Sequence, residues 1–308
     1  MKRKIYIDVI KTIAIFMVVL FHCHCFDNNV VSAAILSMCC PLFFAVNGSL
    51  LLRKDREYRY YVPKLLKILF LILFWGTISN VAHVVIYNEP YSIKQCLIDV
   101  YNLRMDYCNH LWFLFTLFIL YLLYPLLRPI LRDRKVLFIS LIVICCFSLY
   151  GIYPFFKRMN PIQGWHSYSL AYSVGGYAVL KTYEVKSKMI LFVAFLFGII
   201  CQALFNHYYV CDDSVFVGYM TPFTFVTTLS LIKLFSMIQW KEHTVIDFIA
   251  HNTLGIYLVH WSLAMFLVAK YNITPYVYFY PVLIMIVSCV ICWLMNKNKV
   301  TRWLINLN

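Results

Sequence analysis

Asp8, Lys11 and His22 fall inside one hydrophobic run, residues 6 to 26, that has the length and apolarity of a membrane helix. Ionisable side chains at that depth are costly and mark a polar cavity or a site of chemistry. At 100° and 1.5 Å per residue, the step from Lys11 to His22 is about three turns plus about 20°, which sets both side chains on one stripe about 16 Å apart, with Asp8 about 60° away. An acid and an ammonium near one helix end, with an imidazole deeper, suit proton transfer along a polar path. Imidazole titrates near neutrality and can take a proton from a hydroxyl. The plain alternative, a core histidine satisfied by a neighbour, sits poorly with three ionisable groups on one face. His24 lies about 200° around from His22, so the string His22-Cys23-His24-Cys25 alternates helix faces and cannot converge its ligands on a metal ion.

A second polar ridge consists of Thr253, Tyr257 and His260 at helical spacing, with His260 expected near the depth of His22. His110 and Trp112 open another apolar run, where an aromatic interface anchor is the plain reading. Arg53, Lys54, Arg56, Arg59, Lys64 and Lys67 form a basic cluster at the start of the run 64 to 87. Lys64 and Lys67 share a helix face and are suited to a phosphate-bearing molecule, although membrane topology alone also produces such clusters. Asn47-Gly48-Ser49 makes a polar break in the second run.

The elements that must position these residues are all hydrophobic. The chain of 308 residues is 63% hydrophobic and only 13% charged, with mean hydropathy +0.76, which excludes a soluble globular protein. About ten apolar segments are long enough to span a bilayer: residues 6 to 26, 33 to 52, 64 to 87, 110 to 131, 136 to 154, 165 to 181, 188 to 207, 216 to 238, 245 to 269 and 275 to 295. With a cytoplasmic N-terminus, the termini and even-numbered connections hold most of the basic residues, from Lys2, Arg3 and Lys4 to Lys297, Lys299 and Arg302. The opposite connections hold Lys94, Arg104, Lys157, Arg158 and Lys270. This asymmetry is the positive-inside pattern, with both termini cytoplasmic. It accounts for the net charge of +14 without nucleic acid.

The basic start and apolar run resemble a signal peptide, but no small-residue cleavage motif follows, so the run is expected to stay as the first span. Most of the cysteines lie within apolar segments and act as small apolar residues; Cys96, Cys108 and Cys211 lie where pairing is open. The longest connection, Asn88 to Asn109, is amphiphilic and has room for a re-entrant or interfacial helix. With short loops and no internal repeat, residues 1–308 read as one membrane domain. Glycine is scarce, at 9 residues, which predicts bulky aromatic helix packing over small-residue packing.

Taken in order, these marks resemble the acyltransferase 3 family of bacterial integral membrane acyltransferases. The stretch Tyr6 to Lys11 through Phe21-His22 is similar to that family's signature of an arginine, ten residues and a histidine. Phe43-Phe44-Ala45-Val46-Asn47-Gly48, His110-Leu111-Trp112-Phe113-Leu114, Leu122-Leu123-Tyr124-Pro125-Leu126, Gly175-Gly176-Tyr177 and Gly255 to His260 match further landmarks, covering nearly the whole chain. Two departures stand out: Lys11 replaces the signature arginine, and Lys64 and Lys67 replace an arginine pair. Lysine keeps the charge but lacks the planar fork for bidentate contacts. Lys11 looks like a variant of stand-alone family members, so the membrane domain is expected to act without an appended hydrolase-like domain or to hand its acyl group to a separate partner.

The resemblance implies transfer of an acyl group, most often acetyl, from cytosolic acyl-CoA to a hydroxyl of a cell-surface glycan or its lipid-linked precursor, in the bacterial cytoplasmic membrane. It implies catalytic roles for His22, Lys11 and Asp8, donor binding by Arg59, Lys64 and Lys67, and an acceptor side at Tyr257, His260, His110 and Trp112. No metal or resident cofactor is expected; acyl-CoA is a substrate, and polysaccharide biosynthesis proteins are candidate partners. His22 acts as general base on the acceptor hydroxyl, or forms an acyl-histidine intermediate. The rival readings are a transporter or flippase of a glycan precursor and a noncatalytic member of a polysaccharide assembly complex. The absence of paired Gly/Pro-broken spans speaks against the transporter, while the lysine replacements motivate the noncatalytic reading.

Overall fold

The computed structural model describes residues 4–23, 29–87, 109–148, 166–181, 188–209, 218–271 and 279–307, with a few isolated positions between them. Among these residues every regular element is a helix. The connection from Asn88 to Asn109 lies almost wholly outside the described residues, as do His24, Cys96, Cys108 and Cys211.

Helix α1 (Ile5–His22) is the axis of the bundle. It packs against α2 (Val30–Leu36), α3 (Cys39–Leu51), α9 (Pro222–Ser236), α10 (Thr244–His251), α11 (Thr253–Tyr271) and α12 (Phe279–Met295). Around this centre, α4 (Tyr58–Tyr87) packs on α5 (Trp112–Ile130) and α11, α6 (Arg134–Ser148) on α7 (His166–Lys181), and α8 (Lys188–Tyr209) on α2 and α9. A short helix, α13 (Lys299–Trp303), follows α12.

Among the described residues five segments are long and apolar enough to cross a membrane: Ile5–His22, Val30–Leu51, Tyr58–Ile86, Trp112–Ile130 and Lys188–Tyr208. Three shorter apolar helices are Pro222–Ser236, Thr253–Leu267 and Phe279–Met295. The described residues thus form a bundle of many apolar helices, of which these are the ones with the length or composition of the expected spans. Two runs that read as single helices are broken. The second bends at Ser37, whose hydroxyl turns back to Ala33 O at 2.8 Å. The ninth breaks at Asn252, whose side-chain amide donates to Phe248 O at 2.8 Å while its oxygen accepts from Asn296 Nδ2 at 2.6 Å. Capping amides of this kind satisfy backbone groups freed at helix ends.

The outward faces are apolar. On α8, Ile190, Val193, Phe197, Ile200 and Leu204 are all exposed at helical spacing, as are Val282, Ile286 and Val290 on α12. Such stripes belong against lipid, where the backbone is satisfied within each helix. The polar contacts lie inside: Tyr124 donates to Ser173 Oγ at 3.1 Å, and Ser173 donates to Phe44 O at 3.2 Å, tying α5, α7 and α3. Gln202 of α8 donates to Asn206 Oδ1 at 2.8 Å and accepts from Thr224 at 3.2 Å, fixing α8 to α9.

The α3–α7 contact is closer than aromatic packing allows. A Cβ on Gly48 would lie 2.0 Å from Ser173 O, and one on Gly176 would lie 2.2 Å from Ala45 O. The expectation that small-residue contacts play little part is therefore corrected at this interface, because backbone meets backbone only where no side chain intervenes.

Candidate active site

One face of α1 opens on a cavity of about 320 Å³, within the size range of small-molecule sites. Asp8, Lys11 and Val18 line it from α1, Phe43 and Asn47 from α3, Phe113 and Tyr121 from α5, and Thr253 and Tyr257 from α11. The stripe expected to run from Lys11 to His22, with Asp8 beside it, is thus a cavity wall at its Asp8 and Lys11 end, while His22 does not line the cavity. Phe113 and Tyr257, with ring centroids 5.4 Å apart, stand at the deeper end.

Beyond that aromatic pair three histidines gather, none of which lines the cavity itself. The His22 and His260 rings are 5.2 Å apart, and those of His110 and His260 are 6.1 Å apart. Trp261 presents an edge contact to His22 at 4.8 Å and stacks on His110 at 5.3 Å. Tyr257 lies 5.7 Å from His110 and 5.9 Å from His260, ring to ring, and its hydroxyl donates to the His110 carbonyl. Tyr257 therefore touches both the cavity and the histidine group.

The tautomer of His260 follows from its partners. Nδ1 lies 2.6 Å from Tyr257 O and 3.2 Å from Ile256 O, both carbonyls of its own helix. Carbonyls only accept, so Nδ1 carries the proton and Nε2 keeps a lone pair. Nε2 is buried and has no hydrogen-bond partner among the described residues; the same holds for both ring nitrogens of His110. Unpaired buried imidazole nitrogens beside a cavity are what a site awaiting substrate or a shifted side chain presents.

The basic residues expected to bind the donor are brought together elsewhere. Arg59, Lys64 and Lys67 line a separate groove of about 750 Å³ with Tyr60, Phe70 and Trp303. Lys64 Nζ donates to Leu307 O at 3.2 Å, and Lys67 Nζ lies 4.8 Å from the Trp303 ring centroid. Leu307 lines both the groove and the main cavity, so it forms a shared wall. Trp112 does not join the histidines. Its ring neighbours Phe44, Tyr168 and Tyr219 lie at 6.2 Å, 6.4 Å and 6.2 Å, so it packs toward α3 and α7. Trp261 carried no signal of its own in the sequence, since an aromatic beside a histidine reads as an interface anchor. Among the described residues no group of three His, Cys, Asp or Glu side chains is arranged to hold a metal ion.

The family model for an acyltransferase domain matches residues 4–297. The chain belongs to the acyltransferase 3 family. The match runs from the start of α1 to the end of α12, so the cavity and the histidine group both lie within the acyltransferase domain. No curated protein and no solved structure matches this acyltransferase. The coarse activity of this multi-pass membrane domain is therefore acyl transfer.

Proposed function

We propose that the protein is a membrane O-acyltransferase that moves an acyl group, acetyl in the simplest case, from cytosolic acyl-CoA to a hydroxyl of a cell-surface glycan or its lipid-linked precursor. The observation that carries this reading is a cavity that runs along α1 past Asp8 and Lys11 to Tyr257, at the edge of a three-histidine group, in a chain of an acyltransferase family.

In this reading residues 1–308 form one unit of about ten spans in a bacterial cytoplasmic membrane, with both termini in the cytoplasm. Arg59, Lys64 and Lys67 attract the phosphates of CoA to the groove beside the cavity mouth. The thioester arm enters along the α1 face, where Lys11 is the cation beside it and Asp8 supplies the counter-charge. His22 takes the proton of the acceptor hydroxyl as its oxygen attacks the thioester carbonyl. The carbon–sulfur bond breaks, the acyl group stays on the acceptor oxygen, and the CoA thiolate takes up the proton. His110, whose ring nitrogens have no hydrogen-bond partner among the described residues, and Tyr257 serve the acceptor side, with Trp112 completing it from the aromatic packing around Phe44 and Tyr168.

The test compares surface glycan from cells with the wild-type protein, with a deletion, and with His22→Ala at equal membrane abundance, by mass spectrometry of base-labile acyl groups. Removal of a general base lowers the rate by about 10²- to 10⁴-fold, so the acyl increment is expected in wild type alone. An unchanged glycan in the deletion strain would sink the reading and favour transport or a noncatalytic role.

A further inference from the structure

Of the three histidines, His260 is the one whose hydrogen bonding is half determined. Its Nδ1–H is committed to the carbonyls of Tyr257 and Ile256, one turn back on α11. This fixes the ring and its tautomer. The Nε2 lone pair is then held on the far side of the ring, in a residue with 0% exposure, and it meets no donor among the described residues. A buried acceptor without a donor is unfavourable unless a donor reaches it in the working state.

Two neighbouring rings carry N–H groups that could do so. The His22 ring is nearer, at 5.2 Å and 39°, while His110 stands at 6.1 Å and 85°, nearly perpendicular, and is stacked on Trp261. His22 is also the partly exposed member of the pair, ending α1, whereas His260 is closed off. Substrate can therefore reach His22 and not His260. On the opposite argument, a His260 that served only as filler would not need its Nδ1–H tied down and its Nε2 left bare.

Resting on the reading of His22 as the base, we infer that His260 is the positioning residue for His22. It accepts the His22 ring N–H at Nε2 in the substrate complex and so leaves the other His22 nitrogen as the lone pair that faces the acceptor hydroxyl. A base oriented by a third group is the general arrangement for activated nucleophiles. Here the orienting group is neutral, and its own orientation comes from the backbone of α11. The edge contact of Trp261 confines the His22 ring from another side. Catalytic hydrogen bonds that are open in a free enzyme close when substrate tightens the site. The proton from the hydroxyl moves to the His22 nitrogen that faces it and then to the CoA thiolate, and the proton on His260 Nδ1 never leaves.

The test uses full-length protein carrying His260→Phe, His260→Gln or His22→Ala. Phe keeps the ring volume and removes the acceptor, and Gln puts an oxygen near the place of Nε2. Two quantities are read for each variant: the rate of labelled acetyl incorporation into surface glycan per molecule of membrane protein, and the Kd for acetyl-CoA of the purified protein. The expected result is a loss of about a hundredfold in the His260→Phe rate with Kd unchanged, and recovery to within about tenfold of wild type in His260→Gln. Wild-type transfer by His260→Phe would overturn the inference, and so would equal losses in the Phe and Gln variants accompanied by a lowered melting temperature in both. If His22→Ala itself transfers at the wild-type rate, the underlying assignment of the base fails. If His22→Ala is inactive while His260→Phe is normal, only the positioning role fails.

Discussion

Tyr257 is the residue at which the α1 cavity and the histidine group meet, and its ring and its hydroxyl can be separated by mutation. Its ring closes the cavity against Phe113, and its hydroxyl donates to the His110 carbonyl. Tyr257→Phe keeps the closure and removes one buried hydrogen bond, a loss of about 0.5–1.5 kcal/mol plus the cost of the unpaired carbonyl. The expected outcome is a modestly lowered melting temperature in detergent, with unchanged acetyl-CoA binding and a transfer rate reduced by less than about tenfold, since the base itself stays in place. Phe113→Ala is the complementary change. It opens the closure to water, and acetyl-CoA hydrolysis, measured as release of free thiol without acceptor, is expected to rise above the wild-type level. At this scale the shared cavity wall of Asp8 and Lys11 and the nearness of Tyr257 to His260 were legible, because they follow from a fixed angle per residue along continuous helices. The approach of His110 to them was not, because it depends on how α5 and α11 pack. The packing of Trp112 against Phe44, Tyr168 and Tyr219 was not legible either, because it depends on how α5 meets α3 and α7.

The helices depend on one contact that composition concealed. Nine glycines in 308 residues suggest little small-residue packing, yet Gly48 and Gly176 lie where α3 meets the α7 backbone. Gly48→Ala would place a methyl group 2.0 Å from Ser173 O, and a carbonyl fixed in a helix cannot rotate aside. Overpacking of this kind costs about 1–3 kcal/mol and sometimes more. Because α3 also carries Phe43 and Asn47 into the cavity, thermal stability and transfer are expected to fall together. Gly175→Ala is the control: its new methyl meets the ends of the Phe225 and Leu229 side chains at 2.9 Å and 3.0 Å, which can shift. It is expected to melt close to wild type in the same assay. The placement of helices was readable from hydrophobic runs, but the breaks at Ser37 and Asn252 were not. A single polar residue within an apolar run looks like a tolerated exception, and only the hydrogen bonds it makes reveal it as a bend or a cap.

At the scale of the whole molecule, the cations of the described residues gather toward one end of the bundle. Asp55 binds both Arg128 and Arg132, Lys181 donates to Arg132 O at 3.4 Å, and Lys4 and Arg53 meet Lys181 around a small shared pocket. Burial, followed by the nearby Arg53 guanidinium, pushes the Lys4 ammonium below its ordinary pKa. Cations are thus crowded at the end where the cavity shows Asp8 and Lys11, while the histidines lie toward the other. This asymmetry was legible because insertion reads the count of Lys and Arg in short loops, which is a property of sequence. The span count was less so, since runs of similar hydropathy fold into helices of unequal length. The orientation decides whether the proposed chemistry is possible, because an acyl-CoA donor would be cytosolic and polyanionic and would need a cytoplasmic cationic end to receive it. A fluorescent protein fused after Asn308 is expected to fluoresce, and alkaline phosphatase at the same place to be inactive. Phosphatase fused after Asn272, in the connection between α11 and α12, is expected to be active. The reverse pattern would turn the cavity mouth away from the cytosol, and the proposal of a cytosolic acyl-CoA donor would then have to be given up whatever the geometry of the histidines.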